Sequence, residues 1–261
     1  MTAPVPVGTV DYLASLPDDP RCELIDGGLV LRWRRQLSPK WHGATSHGAS
    51  MVSRDPIEEE SMTAALRLPD PSLLQRRDLT VDDIADLPED LRYELIEGRL
   101  VLSPRAKTTH QLLSKKIGDA IEVNCPDEFM INIEQAVLIG PGTELHPDVV
   151  LLREESGDCS PVLPEDVLLA VEVVSASSKS TDRGFKLKQY AAVEIPSYWI
   201  VDPLAERVTF TQFVLSAPGV YDQVVETSAL VTVHQPWEIT LDLPAWTRRR
   251  DRIRSNNRPR R

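Results

Sequence analysis

Apolar positions in this chain fall in short runs divided by breakers. Val167-Leu-Leu-Ala-Val-Glu-Val-Val174 is continuous, β-branched and short, the pattern of a strand buried on both faces. His146-Pro-Asp-Val-Val-Leu-Leu152 reads as a second strand with Asp148 just inside its start, since Pro is tolerated at a strand's first residue. Tyr93 to Ile96 and Arg99 to Leu102 read as a tight hairpin turning on Glu97-Gly98. Ahead of it, Thr80-x-x-Asp83 resembles a capping box for a short helix from Val81 to Asp86. Thr108 caps a helix to about Val123, with Leu113, Ile117, Ala120 and Ile121 on one face. Phe129, Ile131 and Ile133 alternate and lead into Ala136 to Ile139 as one long strand with room for a bend, stopped by Gly140-Pro-Gly142. After the polar loop Ser175 to Ser178, Thr181 or Asp182 caps a helix from Arg183 to Val193. Ser197 to Val201 is another buried strand, Val208 to Val214 and Val220 to Val225 alternate as antiparallel additions, and Leu241 to Pro244 closes the region. The order predicts an α/β domain, a mixed β-sheet flanked by helices.

An internal repeat precedes it. Residues 9–31 match residues 80–102 at a constant offset of 71, with 15 of 23 positions identical. The first copy stops after one helix and one hairpin, so it reads as a partial duplication. Residues 32–79 read as a linker, polar and without a sustained period, whose His42 and His47 are loop residues rather than metal ligands. The chain thus divides into a partial repeat (1–31), a linker (32–79), a domain (80–247) and a basic tail (248–261).

The residue that asks for an explanation is Glu172. A carboxylate in an oily strand is costly unless it is paired, hydrogen-bonded or bound to a cation. A hydrogen-bonded Glu at the strand's open end would account for it. Asp148, at the start of the neighbouring strand candidate, suggests instead that two carboxylates converge. That pair suits a hard divalent cation such as Mg²⁺, which takes one or two carboxylates and completes its shell with water and phosphate oxygens. A nearby lysine would complete a site for phosphodiester cleavage.

Pro147-Asp148, Glu172-Val-Val174 and a downstream lysine are similar to the PD-(D/E)xK nuclease superfamily. A longer string resembles one branch of it, the Uma-two family, named for restriction endonucleases: Tyr93-Glu-Leu-Ile-Glu-Gly98, Ser103-Pro104, His110-Gln111, Pro147-Asp-Val-Val150, Val171-Glu-Val-Val-Ser175, Asp182-Arg-Gly184, Lys186, Tyr190-Ala191 and Ile195 to Pro203. The resemblance spans roughly residues 80 to 245. It implies a restriction-endonuclease-like fold and metal-dependent cleavage of DNA. Asp148 and Glu172 would hold Mg²⁺ or Mn²⁺, Lys186 would activate or orient water, and Glu94 and His110 would assist. Two departures stand out. The superfamily's lysine would fall at position 174, which is Val174, so Lys186 on the next helix takes its place. Ser175-Ala176 stands where the family has Ser-Pro, which loosens a turn but removes no chemistry.

Charge complicates this picture. The net charge is −11, yet residues 248–261 hold eight arginines and one aspartate, so residues 1–247 carry about −18. An acidic body is poorly suited to gripping nucleic acid by counterion release, although the basic tail would supply non-specific phosphate affinity. Two other readings therefore stay open: a catalytically inactive DNA-binding or assembly protein that keeps the nuclease fold, and a hydrolase of small phosphate esters. A homodimer is compatible with cutting both strands of a duplex. The three cysteines lack CxxC spacing and no apolar run approaches a membrane span, which points to a reducing cytoplasm and no membrane.

Overall fold

The structure is a computed structural model in which residues 21–25, 28–32, 68, 70–88, 91–103 and 106–256 are described. The helix of the partial repeat, His42, His47 and most of the expected linker lie outside the described residues. The chain divides into two compact units at Pro71. In the first, β1 (Arg21–Ile25) and β2 (Gly28–Arg32) form an antiparallel hairpin. Its register, Cys22 opposite Leu31 and Glu23 opposite Val30, is that of Tyr93 opposite Leu102 and Glu94 opposite Val101 in the second unit. The repeated sequence therefore dictates the same local pairing twice.

At the start of the second unit a 3-10 turn (Pro71–Gln75) precedes α1 (Val81–Ile84), whose first turn is tied by Asp83 Oδ2 accepting from the N–H and the hydroxyl of Thr80. β3 (Tyr93–Ile96) and β4 (Arg99–Leu102) form the expected hairpin. Its turn residues, Glu97 and Gly98, both have positive φ, 48° and 75°. A Cβ on Gly98 would also lie 2.6 Å from the carbonyl oxygen of Arg77, so glycine is required twice over. Then come α2 (Thr108–Glu122), β5 (Phe129–Asn132), β6 (Val137–Gly140), β7 (Thr143–Leu145), β8 (Val149–Arg153) and β9 (Val167–Val173). A widened π-type turn, Thr181–Lys186, leads into α3 (Leu187–Ala192). β10 (Ser197–Asp202), β11 (Thr209–Ala217), β12 (Val220–Thr227), β13 (Leu230–Val233), β14 (Ile239–Asp242) and α4 (Leu243–Asn256) complete it.

Two sheets carry the architecture. One has six strands in the order β12-β11-β10-β9-β8-β5, with β9 and β10 parallel and the other pairs antiparallel; the other has four, β4-β3-β7-β6. In the large sheet, Val149, Leu151, Leu169, Val171, Val173, Trp199 and Val201 pack with Leu113, Ile117 and Ile121 of α2. Val150, Leu152, Ala170, Tyr198 and Ile200 form the opposite face, against Tyr190 of α3. Burial on both faces is why β8, β9 and β10 read as unbroken apolar runs. Among the described residues no helix is long and apolar enough to cross a membrane.

Three local expectations change. The single long strand over 129–139 is two strands in different sheets, because the chain turns at Glu134, where φ is 56°. Gln135 braces that crossing: its amide donates to the carbonyls of Ala136 and Cys159 and accepts from Asn132. The helix expected from Arg183 starts earlier, at Thr181, and its first half is a π turn, so Asp182 lies buried inside it rather than capping it. Finally, the arginine-rich end is helical as far as Asn256. Arg250, 2% exposed, donates to the carbonyls of Pro203, Ala205 and Glu206, which is why the helix holds to the body there.

Candidate active site

Glu172 projects from β9 on the face covered by the π turn and α3, and it is 4% exposed. Lys186 and Tyr190, four apart on the covering helix, both reach it. Lys186 Nζ lies 2.8 Å from Glu172 Oε1, and the Tyr190 hydroxyl donates to the same oxygen at 3.0 Å. The ammonium also lies 2.7 Å from Glu94 Oε1, on β3 of the other sheet. Glu94 Oε1 accepts a further bond from the His146 backbone N–H at 3.2 Å. Position 174, where a superfamily lysine would fall, is instead a core residue: Val174 is buried in the α3-side cluster. Lys186 therefore enters the site from the helix, and its amine points inward rather than to solvent.

Asp148 sits between Pro147 and the first residue of β8. Its Oδ2 accepts from the Val173 N–H at 2.7 Å and lies 3.2 Å from His110 Nε2 in the first turn of α2. The bond to Val173 pins Asp148 beside the residue that follows Glu172. All five residues singled out in the sequence, Glu94, His110, Asp148, Glu172 and Lys186, thus gather around the C-terminal end of β9.

A family described as "Putative restriction endonuclease", Uma2, matches residues 81–246. The chain belongs to the Uma2 family. A solved structure titled a "putative nuclease belonging to DUF820" from Anabaena variabilis ATCC 29413 is 18% identical, with a TM-score of 0.50 over 65% of this chain and 99% of that one. That likeness shows a shared restriction-endonuclease-like fold. No curated protein matches this chain.

The electrostatics of this Uma2 site follow from burial. Desolvation by itself would lower the pKa of Lys186, but Glu172, then Glu94 and Asp182, outweigh it and hold the pKa well above the usual lysine range. Burial pushes Glu172 well up; Lys186 pulls it back, while Asp182, Asp148 and Glu94 push it further. Asp182, fully buried, is raised to about 6, chiefly by burial, against the pull of Lys186 and of the Ser178 hydroxyl that donates to its Oδ2 at 2.7 Å. For His110, burial lowers the pKa, yet the bond to Asp148 overrides it and leaves the ring easier to protonate than a free histidine.

Whether a cation suits the Uma2 site can be judged from its donors. Three carboxylates, Glu172, Glu94 and Asp182, act on one buried ammonium, Asp148 adds its charge beside Glu172, and Asp182 Oδ1 is buried without a hydrogen-bond partner, 4.0 Å from that ammonium. Such a surplus of hard, under-neutralised oxygens fits a divalent cation of the Mg²⁺ type. Among the described residues no three His, Cys, Asp or Glu side chains form a ready-made cage.

Sequence reasoning missed two of these contacts. Tyr190 was visible on the same helix face as Lys186, but nothing in the sequence marked its hydroxyl as a donor to Glu172. Asp182 read as a cap, because a π turn has no sequence signature. The missing family proline at 176 is made good locally: Ser175 N–H donates to Ser178 Oγ, and Ser178 N–H donates to Ser175 Oγ.

Proposed function

We propose that this Uma2 protein is a divalent-metal-dependent nuclease that hydrolyses phosphodiester bonds, with DNA as its substrate. One observation carries the reading: a buried lysine on the helix after β9 bridges Glu172 and Glu94, with Asp148 fixed alongside. Asp148 and Glu172 would hold Mg²⁺ or Mn²⁺. When bound, the ion offsets phosphate charge and acidifies a water.

The chain's own residues supply the rest. Lys186 remains an ammonium at neutral pH, so it cannot accept the proton of an attacking water. It orients that water and stabilises the negative charge that develops on phosphorus-bound oxygens. Tyr190 fixes Glu172 by its hydroxyl, and its own raised pKa keeps it a donor. His110 steadies Asp148 and, when protonated, presents a donor toward a phosphate oxygen. Glu94, held by His146 N–H and Lys186, is the carboxylate placed to assist. The reducing cytoplasm inferred from the cysteines is where such an enzyme would meet DNA.

The test is cleavage of supercoiled plasmid, single-stranded DNA, RNA and bis(4-nitrophenyl) phosphate by purified protein with Mg²⁺, Mn²⁺ or EDTA. The expected result is metal-dependent DNA cleavage that falls at least about 100-fold in Glu172→Gln and Asp148→Asn. Undiminished cleavage by either variant would refute the residue assignment. DNA binding without cleavage in any metal would select an inactive nuclease fold, and activity confined to the small diester would select the small-ester hydrolase.

A further inference from the structure

A groove of about 540 Å³ opens beside the acid cluster, between α2 and the edge strand β5. It runs along one side of α2 from His110 past Gln111, Ser114, Lys115 and Gly118 to Asp119 and Glu122, about 18 Å of helix. The groove is polarised. At the His110 end stand Arg92, ion-paired with Glu134, and the imidazole bonded to Asp148. The middle has an apolar floor of Ile131 and Ile133, the latter 46% exposed, facing Gly118. The far end carries Glu122 and Asp119, the latter ion-paired with Lys115 at 2.7 Å.

Gly118 explains the depth. A glycine inside a helix is unfavourable relative to alanine. Here a Cβ would meet only Ile131 Cγ2 at 3.6 Å and Ile133 Cδ1 at 3.8 Å, ordinary contact distances. Packing does not demand the glycine, so its effect is to keep the groove floor open.

We propose that this groove takes one unpaired nucleotide adjacent to the cleaved phosphate, and that the enzyme acts on single-stranded or locally opened nucleic acid. This rests on the nuclease reading above. A continuous strand running the length of the groove is disfavoured, because its further phosphates would meet Glu122 and the Asp119 carboxylate already paired with Lys115. A single nucleotide laid in from the His110 end covers the apolar middle of the groove. Its phosphate lies at Arg92 and His110, and its base lies flat over Ile131 and Ile133, as bases do on apolar and aromatic floors. The carboxylates then accept from the amino groups of cytosine, adenine or guanine, a pairing that thymine lacks. Extruding a base from a duplex carries an unstacking cost, which makes unpaired substrates the preferred ones.

The experiment measures fluorescence anisotropy of labelled oligonucleotides with wild-type protein in EDTA, so that binding is read without turnover. The probes are a single strand, a perfect duplex, a duplex with one bulged cytosine and one with a bulged thymine. The expected order is single strand and bulged cytosine tightest, bulged thymine weaker and perfect duplex weakest. Gly118→Leu, which fills the floor, should weaken single-strand binding about tenfold. Ile133→Glu, at an exposed position that leaves the fold intact, should do the same. Both variants should hydrolyse bis(4-nitrophenyl) phosphate, which needs no base groove, at the wild-type rate. Equal binding of duplex and single strand, no binding of either, or unchanged affinity in Ile133→Glu would overturn the proposal. Absence of metal-dependent DNA cleavage in wild type would instead count against the nuclease reading and leave the binding result standing.

Discussion

Replacing Lys186 by methionine tests the electrostatic core of the site. The side chain is 4% exposed and its amine contacts Glu172 and Glu94 at 2.8 and 2.7 Å, so methionine keeps the stem and deletes the charge. Removing one partner of a buried ion pair costs about 3–5 kcal/mol, because the other charge is left uncompensated. A second route gives a similar figure. Without the ammonium, the two acids must hold one proton more than in wild type, where Glu172 is already raised by burial, and holding a carboxyl with an ordinary pKa near 4.3 neutral at pH 7 costs about 3.7 kcal/mol. The sign follows from linkage. The folded variant binds a proton that the unfolded chain does not, so its stability falls as pH rises. The gap between wild type and Lys186→Met should therefore narrow by about 1.4 kcal/mol for each unit that the pH is lowered from 7 toward 5. Urea unfolding followed by tryptophan fluorescence at pH 5, 6, 7 and 8 reads this directly, since Trp199 and Trp246 are buried. A gap below about 1 kcal/mol at pH 7, or one that does not change with pH, would mean that Lys186 does not neutralise these acids.

Other variants probe separate contacts. Asp182, raised to about 6 by burial, favours the folded state below pH 3.8 and loses that contribution as pH climbs through 6, about 3 kcal/mol in all. Asp182→Asn should therefore match wild type near pH 4 and exceed it at pH 8, as thermal melts across that range would show. Arg250→Met strands the carbonyls of Ala205 and Glu206, while Arg254 still donates to Pro203, and should cost about 2–4 kcal/mol by chemical unfolding, without altering cleavage of a small diester. Gly118→Ala relieves the helix-interior glycine and should raise stability by about 0.4–1 kcal/mol, visible as a higher urea midpoint.

Much of the site was legible because it sits on strongly patterned elements. Glu172 stood out as an acid in a β-branched run, and the hairpin carrying Glu94 announced itself by Glu97-Gly98 between apolar strands. Lys186 emerged from its place on the next helix and from the family string, once Val174 had excluded the usual position. The harder parts depend on long-range packing. The sequence around Glu134 alternates like a single strand, and only the demand of two separate sheets turns it there. The arginine-rich end reads as a tail until the carbonyls of the 203–206 loop, more than 40 residues away, are seen to bind Arg250. The π turn that buries Asp182 follows from the fit of α3 over β9, which no local propensity encodes.

The bridging lysine joins side chains rooted in different sheets, Glu94 in the four-stranded one and Glu172 in the six-stranded one. The chemistry is therefore conditional on the two layers having docked. A nascent chain released up to residue 172 already holds Glu94, Asp148 and Glu172 yet lacks the amine at 186 that draws them together. Assembly of the cluster thus waits on the helix that follows β9 and on the meeting of both sheets.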